Sequence, residues 1–165
     1  MINSALTELD WIVGKTIIKF TQADPALLMV DAIVEEQDTN LILGQTPVAM
    51  ATIESFPALV KKMEQQIVER PGNVIVRRSR PRRFIAIVYD VDHTPICEMQ
   101  WIEKALKKIL EQCEQYKINT LAMPLLGMNY GKLQGEMIMQ LLQDLLMNHQ
   151  QQYLKRIIIY KHQIT

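Results

Sequence analysis

Only two cysteines occur, Cys97 and Cys113, and neither belongs to a C-x-x-C pair or to a spaced Cys/His set. That argues against a disulfide scaffold or a zinc module and fits two reduced, structural thiols in a cytoplasmic protein. Charge of one sign is also lacking. Lys plus Arg and Asp plus Glu each total 18, for a formal net charge of zero. A general nucleic-acid or membrane-surface binder usually carries a large basic excess, so both classes are disfavoured, although a local basic patch is compatible with the total. No apolar run approaches the length of a membrane span, and the opening MINSALTELD has no cationic start leading into an apolar stretch, so neither a span nor a signal peptide is expected. Internal repeats, low-complexity tracts and linkers are missing. What is present is 48% hydrophobic residues in a chain long enough to bury a core without staples, read as one domain over 1–165.

The hydrophobic residues alternate between two periods. TELDWIVGKTIIKF reads as two strand-like pieces around Gly14, a short hairpin. LLMVDAIVEE is a compact apolar run that predicts a buried strand over Met29 to Glu35, followed by polar EQDTN and the loop LILGQTPVAM. Leu59, Val60, Met63, Ile67 and Val68 fall at helical spacing, predicting a helix from Ala58 to Arg70 that RPGN stops. NVIVRRS and RFIAIVYDV are two strands joined by an arginine-rich turn, and Pro95 in DVDHTP is placed to open a helix. Met99, Ile102, Leu106, Ile109, Leu110 and Cys113 mark that helix's buried face. INTLAM is a short strand; Met137, Ile138, Leu141, Leu142, Leu145 and Leu146 mark another helix, and LKRIIIY is a last strand. Strands alternating with helices predict an α/β fold with a mostly parallel central sheet. In such sheets ligands bind outside the carboxyl ends of the strands. The loops after Val34, Tyr89 and Met123 are therefore expected to gather at one rim.

In their order and spacing, ADPALLMVDAIV, LILGQTPVAM, PGNVIV, FIAIVYDVD, WIEKALKKILEQCEQYKINTLAMPLLG and LKRIIIY resemble a macro domain over about Thr16 to Tyr160. The resemblance implies a three-layer α/β/α module with a mixed, mostly parallel sheet that binds ADP-ribose or a related nucleotide. By that resemblance Asp24, seven residues before Asp31, would accept a hydrogen bond from the adenine amino group; it also suits the cap of a short helical turn, and the two roles are compatible. Where the family carries Asn-Ala-Ala-Asn, this chain has Glu35-Glu36-Gln37-Asp38. Asp38 takes the place of the asparagine that faces the distal ribose, while Glu35 and Glu36 add negative charge near a diphosphate. The first glycine-rich loop keeps only Gly44; Thr46 could donate a hydroxyl and the amides of Val48 and Ala49 could face an anion at a helix N-terminus, and an ordinary capped loop fits these residues equally.

PLLGMNYGKLQ matches the second phosphate loop and is similar to that of the branch containing terminal ADP-ribose glycohydrolases. Gly127, Met128, Asn129, Tyr130 and Gly131 are its candidate ligand contacts, with backbone amides offered to an anion. The branch's catalytic aspartate falls on Gly131, and its catalytic lysine falls near Asp90 and Val91, so that mechanism is not carried over. Asp38, Asp90 and Asp92 are the weak catalytic candidates that remain. Asp90, Asp92 and His93 could bind a metal or move a proton, but no further His/Cys spacing supports a metal, and a solvated loop is the simpler reading. The arginines of RRSRPRR read as a solvated turn at the far end of its strand, with no interleaved aromatic to suggest nucleic acid. The expected function is binding of ADP-ribose or a related nucleotide diphosphate, with no metal or cofactor. The alternatives are hydrolysis of ADP-ribosyl or O-acetyl-ADP-ribose esters, and a degenerate fold that serves protein contacts.

Overall fold

A computed structural model describes residues 10–43 and 68–161. The expected loop Gly44–Ala49 and most of the expected helix from Ala58 lie outside these residues. Residues 68–70 are described and are not helical; Glu69 N–H instead donates to Thr39 O at 2.9 Å.

Seven strands form one sheet: β1 (Trp11–Val13), β2 (Thr16–Thr21), β3 (Ala32–Asp38), β4 (Val74–Arg77), β5 (Arg82–Tyr89), β6 (Thr120–Met123) and β7 (Arg156–Tyr160). Their spatial order is β1-β2-β7-β6-β3-β5-β4. β2, β7, β6, β3 and β5 run parallel, and antiparallel β1 and β4 close the edges. The β1–β2 hairpin turns at Gly14, whose φ of 60° suits a residue without Cβ.

Two long helices, α1 (Met99–Gln115) and α2 (Gly135–Asn148), return the chain between parallel strands. Their Ile102, Leu106, Ile109, Ile138 and Leu142 share one hydrophobic cluster with Val34, Phe84, Leu121 and Ile157 of the sheet. Full burial of each such side chain contributes about 1.5–3 kcal/mol. On the opposite face Ile87 and Ala122 are buried as well. The central strands are thus covered on both faces, as the middle layer of an α/β/α arrangement requires.

Three expectations change. β3 begins at Ala32 and runs on to Asp38 rather than spanning Met29 to Glu35; Met29 is almost fully exposed. The acidic residues stay in the strand because neighbours supply partners on each face: Arg83 Nε donates to Glu35 Oε1 at 2.9 Å, while Glu36 is buried against Tyr89 and Gly127. Helix α1 opens at Met99, not at Pro95. The carbonyls of Pro95 and Ile96 accept from His93 Nδ1 and Asp90 N–H, bonds that close the loop ahead of the helix. Met137, expected on the buried face of α2, is half exposed, and Met139 is buried instead.

Asp31 explains the VDAIV motif structurally. Its Oδ2 accepts from the amides of Asn119 and Thr120, at 2.9 and 3.1 Å, tying the entry of β3 to the entry of β6.

Candidate functional site

β3, β5 and β6 are parallel neighbours, so their carboxyl ends open onto one rim, as do those of β2 and β7. The turn 124–134 after β6 dominates it. Gly127 turns the chain at φ 85°, and a Cβ there would stand 2.7 Å from Leu133 Cδ1. Its N–H does not face outward. It donates to Glu36 Oε1 at 3.1 Å, while Glu36 Oε2 accepts from the Tyr89 hydroxyl at 2.7 Å. The Tyr89 oxygen in turn accepts from Tyr130 N–H at 3.5 Å, and the two rings meet edge to face with centroids 5.4 Å apart. One buried carboxylate therefore holds the turn against β5. Of the amides expected to face an anion, that of Gly127 is spent internally, whereas those of Asn129 and Gly131 have no hydrogen-bond partner among the described residues.

Burial, reinforced by the Glu36 charge, pushes the Tyr89 phenol far above its ordinary range, so it remains a proton donor to the carboxylate. Cys97 lies beneath the same turn. Burial first, then the charges of Glu36 and Glu98, push its thiol up to about 12. It is a neutral packing group rather than a nucleophile. Gly131 sits directly on it: a Cβ at 131 would lie 2.5 Å from Cys97 Cβ and 2.6 Å from Gly127 O. A side chain there would point at the buried cysteine.

Between this turn and the ends of β2 and β7 lies a cleft of about 450 Å³. It is lined by Phe20, Thr21 and Gln22 from the end of β2, by Ile159, Tyr160 and Lys161 from the end of β7, and by Pro124, Leu125, Met128 and Asn129 of the turn. Tyr160 is fixed by donating its hydroxyl to Val34 O at 2.6 Å, and burial raises its phenol above the ordinary range.

The expected site residues are thus only partly assembled. Met128 and Asn129 line the cleft; Tyr130 stands 44% exposed on the same turn. Gly127 and Gly131 shape the turn from inside. Asp24, two residues beyond Gln22, caps the short 3₁₀ turn Pro25–Leu27 by accepting from Ala26 N–H at 2.9 Å, and it is exposed. Asp38 is fully buried at the end of β3; its Oδ1 accepts from Asn40 N–H at 2.7 Å, and Oδ2 has no partner among the described residues. The carboxylate read as a ribose contact is thus turned onto backbone. Asp90 accepts from Asp92 N–H at 3.1 Å, and His93 Nδ1 donates to Pro95 O at 2.8 Å, so this loop is closed on itself. Among the described residues no group of three His, Cys, Asp or Glu is placed to hold a metal. Gly44, Thr46, Val48 and Ala49 lie outside the described residues.

Phe20, Thr21, Gln22, Tyr160 and Lys161 escaped sequence reading. The rule about carboxyl ends applies to every parallel strand, but the early TIIKF piece reads locally as half of a hairpin. Its parallel pairing with the last strand, Ile18 beside Ile157, is visible only in the sheet.

No family model and no curated protein matches the sequence. Solved structures do match its fold. The macrodomain of Thermus aquaticus DarG superposes with a TM-score of 0.63 at 22% identity, over 88% of this chain and 98% of that one. The macrodomain of Mycobacterium tuberculosis DarG gives 0.65 at 17% identity, covering 90% and 99%. A mutant of the Oceanobacillus iheyensis macrodomain in complex with ADPR gives 0.65 at 12% identity, covering 93% and 89%. The chain has the macrodomain fold, in a divergent form.

Proposed function

We propose that this protein binds ADP-ribose, or a closely related nucleotide diphosphate, in the cleft between β2, β7 and the turn after β6. The observation that carries the proposal is the position of that cleft. It lies at the carboxyl rim, where parallel α/β sheets take their ligands, in a fold whose relatives include structures carrying ADPR and ADP. Its volume falls in the range of small-molecule sites. Phe20 and Met128 offer apolar surface for a base, the amide of Asn129 suits phosphate oxygens, and Lys161 supplies a cation. A cytoplasmic setting belongs to the same proposal, and the two free, buried thiols suit it.

Calorimetric titration with ADP-ribose tests this reading directly. Saturable heat and a rise in melting temperature are expected, since ligand at 100 times Kd stabilises by about 2.7 kcal/mol. Phe20→Ala should weaken the binding while leaving the fold intact. Absence of heat and of any thermal shift at millimolar ADP-ribose overturns it.

A further inference from the structure

The sheet has a second chemically distinctive end. At the amino ends of the parallel strands, register places cations on nearly every strand in turn. Lys15 precedes β2; Lys155 and Arg156 open β7, with Arg156 level with Ile17 on one side and Thr120 on the other. Lys117 leads into β6. Arg82 and Arg83 open β5, and Arg83 is level with Arg77, which ends β4 before the exposed turn of Arg78 and Arg80. Five strand-to-strand steps at about 4.8 Å make this row roughly 24 Å long.

Ion pairs neutralise little of it. Arg83 pairs with Glu35, but none of the other named cations has an ion-pair partner among the described residues. Asp31, in the middle of the row, accepts from the amides of Asn119 and Thr120 and keeps its negative charge, so the row is interrupted at β3. Glu114 accepts from the amides of Gln152 and Tyr153 and also remains negative. The fold also brings in aromatics that are distant in sequence from the arginine turn. The Arg82 guanidinium lies 3.9 Å over the Tyr116 ring, and the Lys117 ammonium lies 5.9 Å over that of Tyr153. Among the described residues, cations therefore gather on the edge that faces away from the cleft.

We propose that this edge is a docking surface for the phosphate backbone of a single-stranded nucleic acid. Guanidinium forks and ammonium groups spaced along a line match a linear polyanion. Tyr116, packed against the core, and Tyr153 support the Arg82 and Lys117 cations along the row rather than offering open faces to bases. The row is one sheet edge thick and, among the described residues, presents no helix to enter a duplex groove, so a flexible single strand is the partner it fits. The surface is independent of the cleft and leaves it free.

The test is fluorescence anisotropy with a labelled oligothymidine of roughly 12 nucleotides. Binding is expected with a log–log salt slope of about −3, the value for four to five neutralised phosphates on a single strand. The double variants Arg78→Glu/Arg80→Glu and Lys155→Glu/Arg156→Glu should each weaken it about tenfold or more and flatten the slope. All four side chains are exposed, so unchanged melting temperatures will separate lost charge from lost fold. The proposal is overturned by absence of binding at about 200 µM protein in low salt, beyond the usual non-specific range. It is equally overturned by binding that both double variants retain, by displacement of the oligonucleotide with ADP-ribose, or by equal or tighter binding of duplex or of phosphatidylserine vesicles.

Discussion

The carboxyl rim and the amino edge of the same sheet solve opposite electrostatic problems. At the rim, a buried carboxylate and two tyrosines hold a glycine turn in place, and the groups left facing outward are mainly backbone amides and apolar side chains. At the amino edge the outward groups are charged side chains on long, solvated stems, most of them unpaired among the described residues. Rigidity at the rim is built from contacts that share partners. At the edge each charge is separately removable. The difference is one between packed backbone geometry, where strain is costly, and surface charge, where single changes usually cost little.

The largest break in this comparison is Gly131→Asp, which places an aspartate where the glycohydrolase branch has one. The new Cβ meets Cys97 and the Gly127 carbonyl at about half an ångström or more inside normal contact. A loss of about 3 kcal/mol is expected from this overpacking, with no gain of hydrolysis, measured by denaturant unfolding and an ester-release assay. Activity with unchanged stability would show that the turn is softer than its packing implies.

Glu36→Gln comes next. An amide keeps one acceptor but faces either the Tyr89 O–H or the Gly127 N–H with its own donor, leaving one buried group unsatisfied at a cost of about 1–3 kcal/mol. Hydrogen exchange of the Gly127 amide should accelerate and ADP-ribose binding should weaken. Tyr89→Phe removes only one arm and should have the smaller effect on both. Equal exchange in all three proteins would remove Glu36 from its positioning role.

The pH response sharpens the contrast further. Cys97 ionises near its ordinary 9.0 when unfolded but at about 12 when folded. Between those values the unfolded chain binds fewer protons, so stability falls as pH rises; below 9 the contribution is complete. Melting temperature should therefore decline from pH 9 upward, and Cys97→Ala should make that decline shallower. Neither thiol of the folded protein should react readily with iodoacetamide at pH 8, since burial also raises Cys113. The smallest effect belongs to the edge: Arg78→Glu/Arg80→Glu should shift stability by no more than about 0.5 kcal/mol and leave ADP-ribose binding unchanged.

The order of strands and helices was largely legible because period-2 and period-3.6 hydrophobic patterns are local. LKRIIIY, FIAIVYDV and the face Ile102, Leu106, Ile109 and Cys113 all lie where their periodicity put them. Errors arose where a residue's partner is distant. Glu36 looked too polar to continue β3, yet Tyr89 and Gly127, 53 and 91 residues away, make the strand its best position. The candidate site divides in the same way. Met128 and Asn129 were readable from the glycine-framed turn, while Phe20, Tyr160 and Lys161 became neighbours only through parallel pairing of β2 with β7.

By itself, then, the sequence determined the alternation of elements, the macro-like pattern and the glycine positions of the turn after β6, because these depend on backbone geometry and on residues close along the chain. Only the tertiary structure decided which carboxylates are structural, which walls meet to form the cleft, and that cations from five strands share one edge. Those properties depend on desolvation and on charge placed side by side across the sheet, and neither exists until the strands are in register.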